Sequence, residues 1–208
     1  MSLNVSDKSG QGFEPIPEGT HTAVCYGVID LGKQFNEKFG KSTDKVLIMW
    51  ELPDEIEDGQ ELPRVFSQRY TASLNSKSKL RKDLAAWRGR DFTDAELDAF
   101  NLRNILGTAC LIQIIHKENN GKTFANLASI MALPKGMPRP LPKHEIISFD
   151  LDEDDLSALA KLPDWIVDVI KESETFKQRL NEERGYGSNK PVDVSAADFE
   201  EADDDLPL

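Results

Sequence analysis

The residues of this 208-residue chain best suited to chemistry are cations interleaved with aromatic rings, in RVFSQRYTASLNSKSKLRKDLAAWRGRDF (64–92). Arg64, Arg69, Lys77, Lys79, Arg81, Lys82, Arg88 and Arg90 supply charge, and Phe66, Tyr70 and Trp87 supply rings. A cation can neutralise a phosphate while a neighbouring ring stacks on a base, the combination that holds single-stranded nucleic acid without reading its sequence. Two smaller groups repeat the mixture: Lys33, Phe35, Lys38, Phe39, Lys41 and Lys45, and then Lys117, Lys122 and Phe124. Each residue has a plainer alternative. Trp50 shares a face with Val46 and Ile48, and Trp87 lies on an apolar helical stripe, so both are expected in the core. Phe66 and Tyr70 alternate with Arg64 and Gln68, which predicts a face that is partly wet.

Residue types for catalysis are not assembled in the same way. The chain has no Gly-rich phosphate loop ending in Lys-Ser/Thr, no His-Glu-x-x-His and no Cys-x-x-Cys. His21, His116 and His144 are scattered, and DLDEDDL (150–156) lacks the Gly and closing Glu of a calcium loop. Neither enzymatic activity, a cofactor nor a metal is expected. Cys25 and Cys110 each fall in a strand-like apolar run and are expected to be buried free thiols.

The net charge of −12 conceals a partition. Residues 1–63 carry 5 Lys/Arg against 12 Asp/Glu, residues 64–145 carry 14 against 7, and residues 146–208 carry 6 against 18. A basic middle between acidic ends says more about partners than the total does. No run reaches the ~18 apolar residues of a membrane span, and the first twenty residues lack a signal-peptide pattern. A cytoplasmic protein with no membrane partner is expected.

The elements that must position these groups follow from periodicity. Residues 1–19, punctuated by Gly and Pro, predict a flexible lead. THTAVCYGVIDLG (20–32), DKVLIMWEL (44–52) and RVFSQRYTA (64–72) predict strands, with polar loops over 33–42 and 53–62. Leu80, Leu84 and Trp87 predict a helix ending at Gly89, and Thr93 with Glu96 has capping-box spacing. TACLIQIIHK (108–117) and KTFANLASIMAL (122–133) predict two strands joined through Asn-Gly. Residues 134–145 are too proline-rich for regular structure, 150–156 predict a solvated acidic link, and 162–180 predict one amphipathic helix. After Gly185 the polar, acidic chain predicts a disordered tail.

Three strands, a helix and two strands is the order of an OB-fold. The expected fold is mainly β with added helices: a five-stranded OB-fold barrel over 20–145, a helix between strands 3 and 4, and a C-terminal helical extension over 146–184. The extension is expected either to pack on the barrel or to pair protomers in a homodimer.

The last residues, DFEEADDDLPL (198–208), place six acids among eight residues and then Leu-Pro-Leu. Beside a cationic groove such a segment can occupy the groove until a polyanion displaces it. Asp203, Asp204, Asp205, Leu206 and Pro207 resemble the acidic tip of bacterial single-stranded DNA-binding proteins; Leu208 departs from that family's final Phe. SKLRKDLAAWRGRDFTDAELDAFNLRNILGTACLIQIIHKENNGKTFANLASIMALPKG (78–136) resembles the single-stranded DNA-binding proteins of tailed bacteriophages. These resemblances imply an OB-fold body that coats single-stranded DNA without strong sequence preference during phage replication or recombination, in the host cytoplasm. They also imply a tip, Asp203–Leu208, that recruits replication or recombination proteins. The alternative is a phage protein-interaction module or recombination accessory factor whose acidic tail mimics nucleic acid.

Overall fold

The structure, a computed structural model, describes residues 14–37 and 40–188, with backbone alone for 183–188. Its longest strand, β1 (Gly19–Asn36), is buried almost without interruption from Ala23 to Gly32. Alternate residues of a strand face opposite sides, so such a run requires cover on both. Both covers are present. Ala23, Cys25 and Val28 enter one core with Val46, Ile48, Trp50 and Leu52 of β2 (Lys41–Leu52). Tyr26, Ile29 and Leu31 enter a second with Leu47 and Met49. Register shifts between Cys25 and Gly27 and between Asp30 and Gly32 are β-bulges, which bend β1 and re-aim its side chains.

β3 (Arg64–Thr71) pairs with β2, and β4 (Ala109–Asn119) pairs with the start of β1 and with β5 (Lys122–Ala132). The result is one open antiparallel sheet in the order β3-β2-β1-β4-β5. A sixth strand, β6 (Ile147–Phe149), adds parallel to β1 at Gly27–Ile29. It runs into the 150–156 stretch expected to be a solvated link, which burial instead anchors: Phe149, at the end of β6, and Leu151, within that stretch, are core residues of the second cluster. The acids around them are used structurally. Asp150 accepts from the backbone N–H groups of Asp152 and Glu153, and Arg103 pairs with Glu153 and Asp154.

The first core is closed by helix α1 (Lys79–Arg88), which buries Leu80, Leu84 and Trp87. Ser78 caps its N-terminus by accepting from the Arg81 N–H, and Gly89, at φ 70°, ends it in the left-handed conformation that glycine adopts without strain. Helix α2 (Asp94–Asp98) opens on the expected capping box, Thr93 with Glu96. Short 3-10 turns occupy Leu102–Ile105 and Leu156–Lys161.

The second core is closed by α3 (Asp164–Glu172) and α4 (Glu174–Ser188), where one continuous helix was expected. Ser173 makes the break. Its backbone is extended, and its hydroxyl donates to the Ile170 carbonyl while accepting from the Phe176 N–H, which ends one helix and starts the next. Ile166, Ile170 and Phe176 then face the sheet, so the extension packs on the strands. Trp165, expected on the apolar side, is exposed.

The N-terminal lead is held down over its described part. Ile16 is buried in the first core. Its carbonyl accepts from His116 Nε2, Glu18 accepts from the His116 N–H, and the Pro17 carbonyl accepts from His21 Nε2. Residues 14–18 are therefore part of the folded body rather than a free lead.

Candidate nucleic-acid interface

Besides Trp165 on α3, two exposed aromatics among the described residues, Phe35 and Phe124, stand on hairpins. The β1–β2 hairpin is longer than the alternation indicates: Lys33 and Phe35 belong to β1, while Lys41 and Ser42 belong to β2. Phe35 lies opposite Ser42 and is 60% exposed. The stem is braced from α4, where Thr175 Oγ1 accepts from the Lys33 N–H at 3.0 Å and Glu174 accepts from Ser42 at 2.5 Å. Lys38 and Phe39 lie outside the described residues.

The β4–β5 hairpin turns tightly through Asn120 and Gly121, at φ 51° and 73°. Positive φ at both central residues is the two-residue turn that Asn-Gly favours. Phe124, 48% exposed, sits directly opposite Lys117, and Lys122 opens the returning strand. Gly19 of β1 pairs with Ile114 and Asn36 pairs with Lys41, so the two hairpins run off opposite ends of β1.

Phe66 and Tyr70 are corrections to the expected stacking set. They are 6% and 3% exposed, packed in the first core, and burial removes both rings from any base. Alternation with Arg64 and Gln68 suggested a wet face, but β3 turns this face toward Trp50 and α1. Trp50 lies 6.3 Å from Phe66 and 5.8 Å from Trp87 between ring centroids. The Tyr70 hydroxyl donates to Asp83 at 2.8 Å. Burial first, and the Asp83 carboxylate second, push its pKa far up. Trp87 is core as expected, its indole N–H donating to the Ala109 carbonyl.

The cations divide into paired and unpaired. Arg64 pairs with Glu57 and donates to the Glu14 carbonyl. Lys79 pairs with Asp83, and Arg81 with Asp91 at 3.2 Å. Arg88 and Arg90 share Glu96. The Arg90 and Arg88 guanidiniums and the Thr93 N–H hold the Glu96 carboxyl far below the usual range, and Arg81 lowers that of Asp91. Arg64, Lys79, Arg81 and Arg88, all expected to contact nucleic acid, each hold a carboxylate in this structure. The acids interspersed in the same segment fold back onto them. Among the described residues, Lys33, Lys41, Arg69, Lys77 and Lys82 make no ion pair, nor do Lys117 and Lys122. Arg69 is exposed on β3, opposite Leu47, and Lys77 and Lys82 are exposed at the start of α1.

One surface was not anticipated. On β4 and β5 the pairs Leu111–Met131, Gln113–Ser129, Ile115–Asn126 and Lys117–Phe124 place a stripe on the face turned away from the core. Ser129 donates to Gln113 at 3.2 Å. None of these eight residues is acidic, a notable property in a chain of net charge −12. The alternation in LIQIIHK carries the signal, but only the strand pairing joins it to Phe124.

The segment Asp203–Leu208 lies outside the described residues. Among the described residues no helix is long and apolar enough to cross a membrane. Compared with known proteins, the chain matches no family model and no curated protein sequence.

Proposed function

We propose that the chain binds single-stranded DNA without strong sequence preference, by phosphate neutralisation and base stacking, and breaks no bond. The observation that carries the reading is the repetition of one arrangement on two hairpins. Each presents an exposed phenylalanine beside lysines that make no ion pair among the described residues: Phe35 with Lys33 and Lys41, and Phe124 with Lys117 and Lys122. An exposed ring of this size has no packing reason to be there, and a lysine beside it has no carboxylate to satisfy. The strand order β3-β2-β1-β4-β5 supports reading the open sheet as OB-type. Its hairpins β1–β2 and β4–β5 are then the ligand loops. The setting we propose is phage replication or recombination in the host cytoplasm. Residues Asp203–Leu208 recruit replication or recombination proteins, and homodimerisation remains part of the proposal to be tested.

The experiment is fluorescence anisotropy of a labelled oligo-dT and of a duplex of equal length at two salt concentrations. Single-stranded DNA is expected to bind more tightly, with affinity falling as salt rises. Equal affinity for the duplex would overturn stacking. The ion pairing of the 79–90 arginines favours the second reading, a protein-interaction module, and absence of salt-sensitive DNA binding would select it.

A further inference from the structure

One face of the sheet is covered over β1 and β2 and bare over β4 and β5. Both parts lie opposite the first core, which takes Ile48 and Trp50 of β2 and Ile112 and Ile114 of β4. On the covered part Tyr26, Ile29, Leu47 and Met49 lie under Ile166, Ile170 and Phe176. The bare part is the stripe from Lys117 and Phe124 to Leu111 and Met131, in which Phe124, Met131, Gln113 and Lys117 are exposed. Thr20 pairs with Gln113 and Thr22 with Leu111, so β1 widens the stripe by a third row. Neither threonine nor any residue of the stripe is acidic. Glu18, just before β1, stands at its margin and accepts from the His116 N–H. Cations mark both ends. Lys117 and Lys122 flank the hairpin, and Lys135 and Arg139 are exposed in the segment that follows the end of β5 at Ala132. Neither Lys135 nor Arg139 makes an ion pair among the described residues.

Dimensions select the occupant. From Lys117 to Leu111 a strand rises about 20 Å, and three rows at roughly 4.8 Å spacing make a band about 14 Å wide. The band covers about 300 Å², far short of the roughly 800 Å² per partner of a stable protein–protein interface. It suits one nucleic-acid strand. At about 3.4 Å per stacked step it holds roughly six nucleotides, within the ~4–16 that one OB-type domain takes. Charge agrees. In a chain of net charge −12 this band offers a polyanion no carboxylate and cations at each end.

We propose that bound single-stranded DNA passes from Phe124 along this bare band, its bases against Ile115, Leu111 and Met131 and their polar edges facing Gln113 and Ser129. The phosphates at one end meet Lys117 and Lys122, and those at the other meet Lys135 and Arg139. The proposal rests on the DNA-binding reading and fixes the path of the strand on the sheet. An OB-fold ordinarily offers the face of its second and third strands. Here α3 and α4 occupy that face on β2, which leaves β4 and β5 to the nucleic acid. Because Ile114 pairs with Gly19 and Leu111 with Thr22, the path runs along β1 toward Asn36, the end that carries Phe35.

Oligo-dT anisotropy on the full chain tests the path at Gln113, which is exposed in the middle of the band. Gln113→Glu is expected to weaken binding several-fold and Gln113→Lys to strengthen it. Gln60→Glu, the same change of charge on the exposed turn between β2 and β3, should leave affinity near that of the unaltered chain. Ile115→Ala should weaken binding several-fold with the salt dependence unchanged, because the contact it removes is apolar. If Gln113→Glu matches Gln60→Glu while Phe35→Ala still weakens binding, the path is overturned and the DNA-binding reading stands. Failure of the unaltered chain to bind oligo-dT would overturn that reading and the path with it. A dimer in sedimentation that Gln113→Glu dissociates would assign the band to a second copy and overturn the proposal.

Discussion

Phe35 and Phe124 differ from Phe66 and Tyr70 in what surrounds them rather than in what they are. The first two stand on hairpin stems in water, and the other two stand between β3 and α1. Phe35→Ala and Phe124→Ala are therefore each expected to weaken oligo-dT binding by about 1–3 kcal/mol, with the melting temperature unchanged. Tyr70→Phe should do the reverse. It removes the hydroxyl that donates to Asp83 and is expected to lower stability by about 1 kcal/mol while leaving affinity intact. Anisotropy and urea unfolding on the same samples separate the two classes. Tyr26 makes a different prediction. Burial first, then the Glu51 carboxylate and Cys25, push its hydroxyl from 10.0 up to about 12. The folded state thus binds this proton more tightly than the unfolded chain does. The resulting stability is complete below pH 10.0 and is lost as pH rises to about 12. Urea midpoints measured across that range should fall, and Tyr26→Phe should make the fall shallower.

At the scale of elements, the second layer on the sheet depends on one close approach. Gly32 sits at φ 68°, and a Cβ there would lie 2.7 Å from Ser173 Oγ and 2.8 Å from Leu151 Cδ2. Gly32→Ala combines a left-handed backbone with overpacking, and an expected loss of roughly 2–5 kcal/mol follows. Circular dichroism melts check this, and a wild-type melting temperature would mean that α3 and α4 are held elsewhere. The same junction shows what the sequence discloses. Strong local signals were legible: the alternation of β2, the Leu80–Leu84–Trp87 stripe, the Thr93–Glu96 box and the Asn120-Gly121 turn. Ser173 was not, because helical periodicity continues through it and its break is decided by a hydroxyl bonding both neighbours. β6 was not legible either, since three residues of parallel pairing leave no period to detect. The exposure of Phe35 was legible in the sequence, and the ion pairing of the arginines was not. Glu96 announces itself as a capping residue, and nothing local says that two arginines also fold onto it.

For the whole molecule, the decisive quantity is the contrast between a net charge of −12 and a proposed binding surface of lysines that make no ion pair among the described residues. Deleting residues 198–208 removes Asp198, Glu200, Glu201, Asp203, Asp204 and Asp205 and changes the net charge to −6. The covalent chain keeps these six negative charges near the protein, and they repel a polyanion. The truncated chain is expected to bind oligo-dT more tightly. The gain should be largest at low ionic strength, where the screening length is about 30 Å at 0.01 M, and small near 0.15 M, where it is about 8 Å. Partner recruitment should be lost together with Leu206, Pro207 and Leu208, the apolar part of the segment. Replacing only Leu206 and Leu208 with Ser separates the effects, since it keeps every acid: recruitment should fail while DNA affinity stays near that of the full chain. Anisotropy over a salt series is the measurement. If truncation leaves affinity unchanged at every salt concentration and no partner is lost, the acidic segment serves solubility alone.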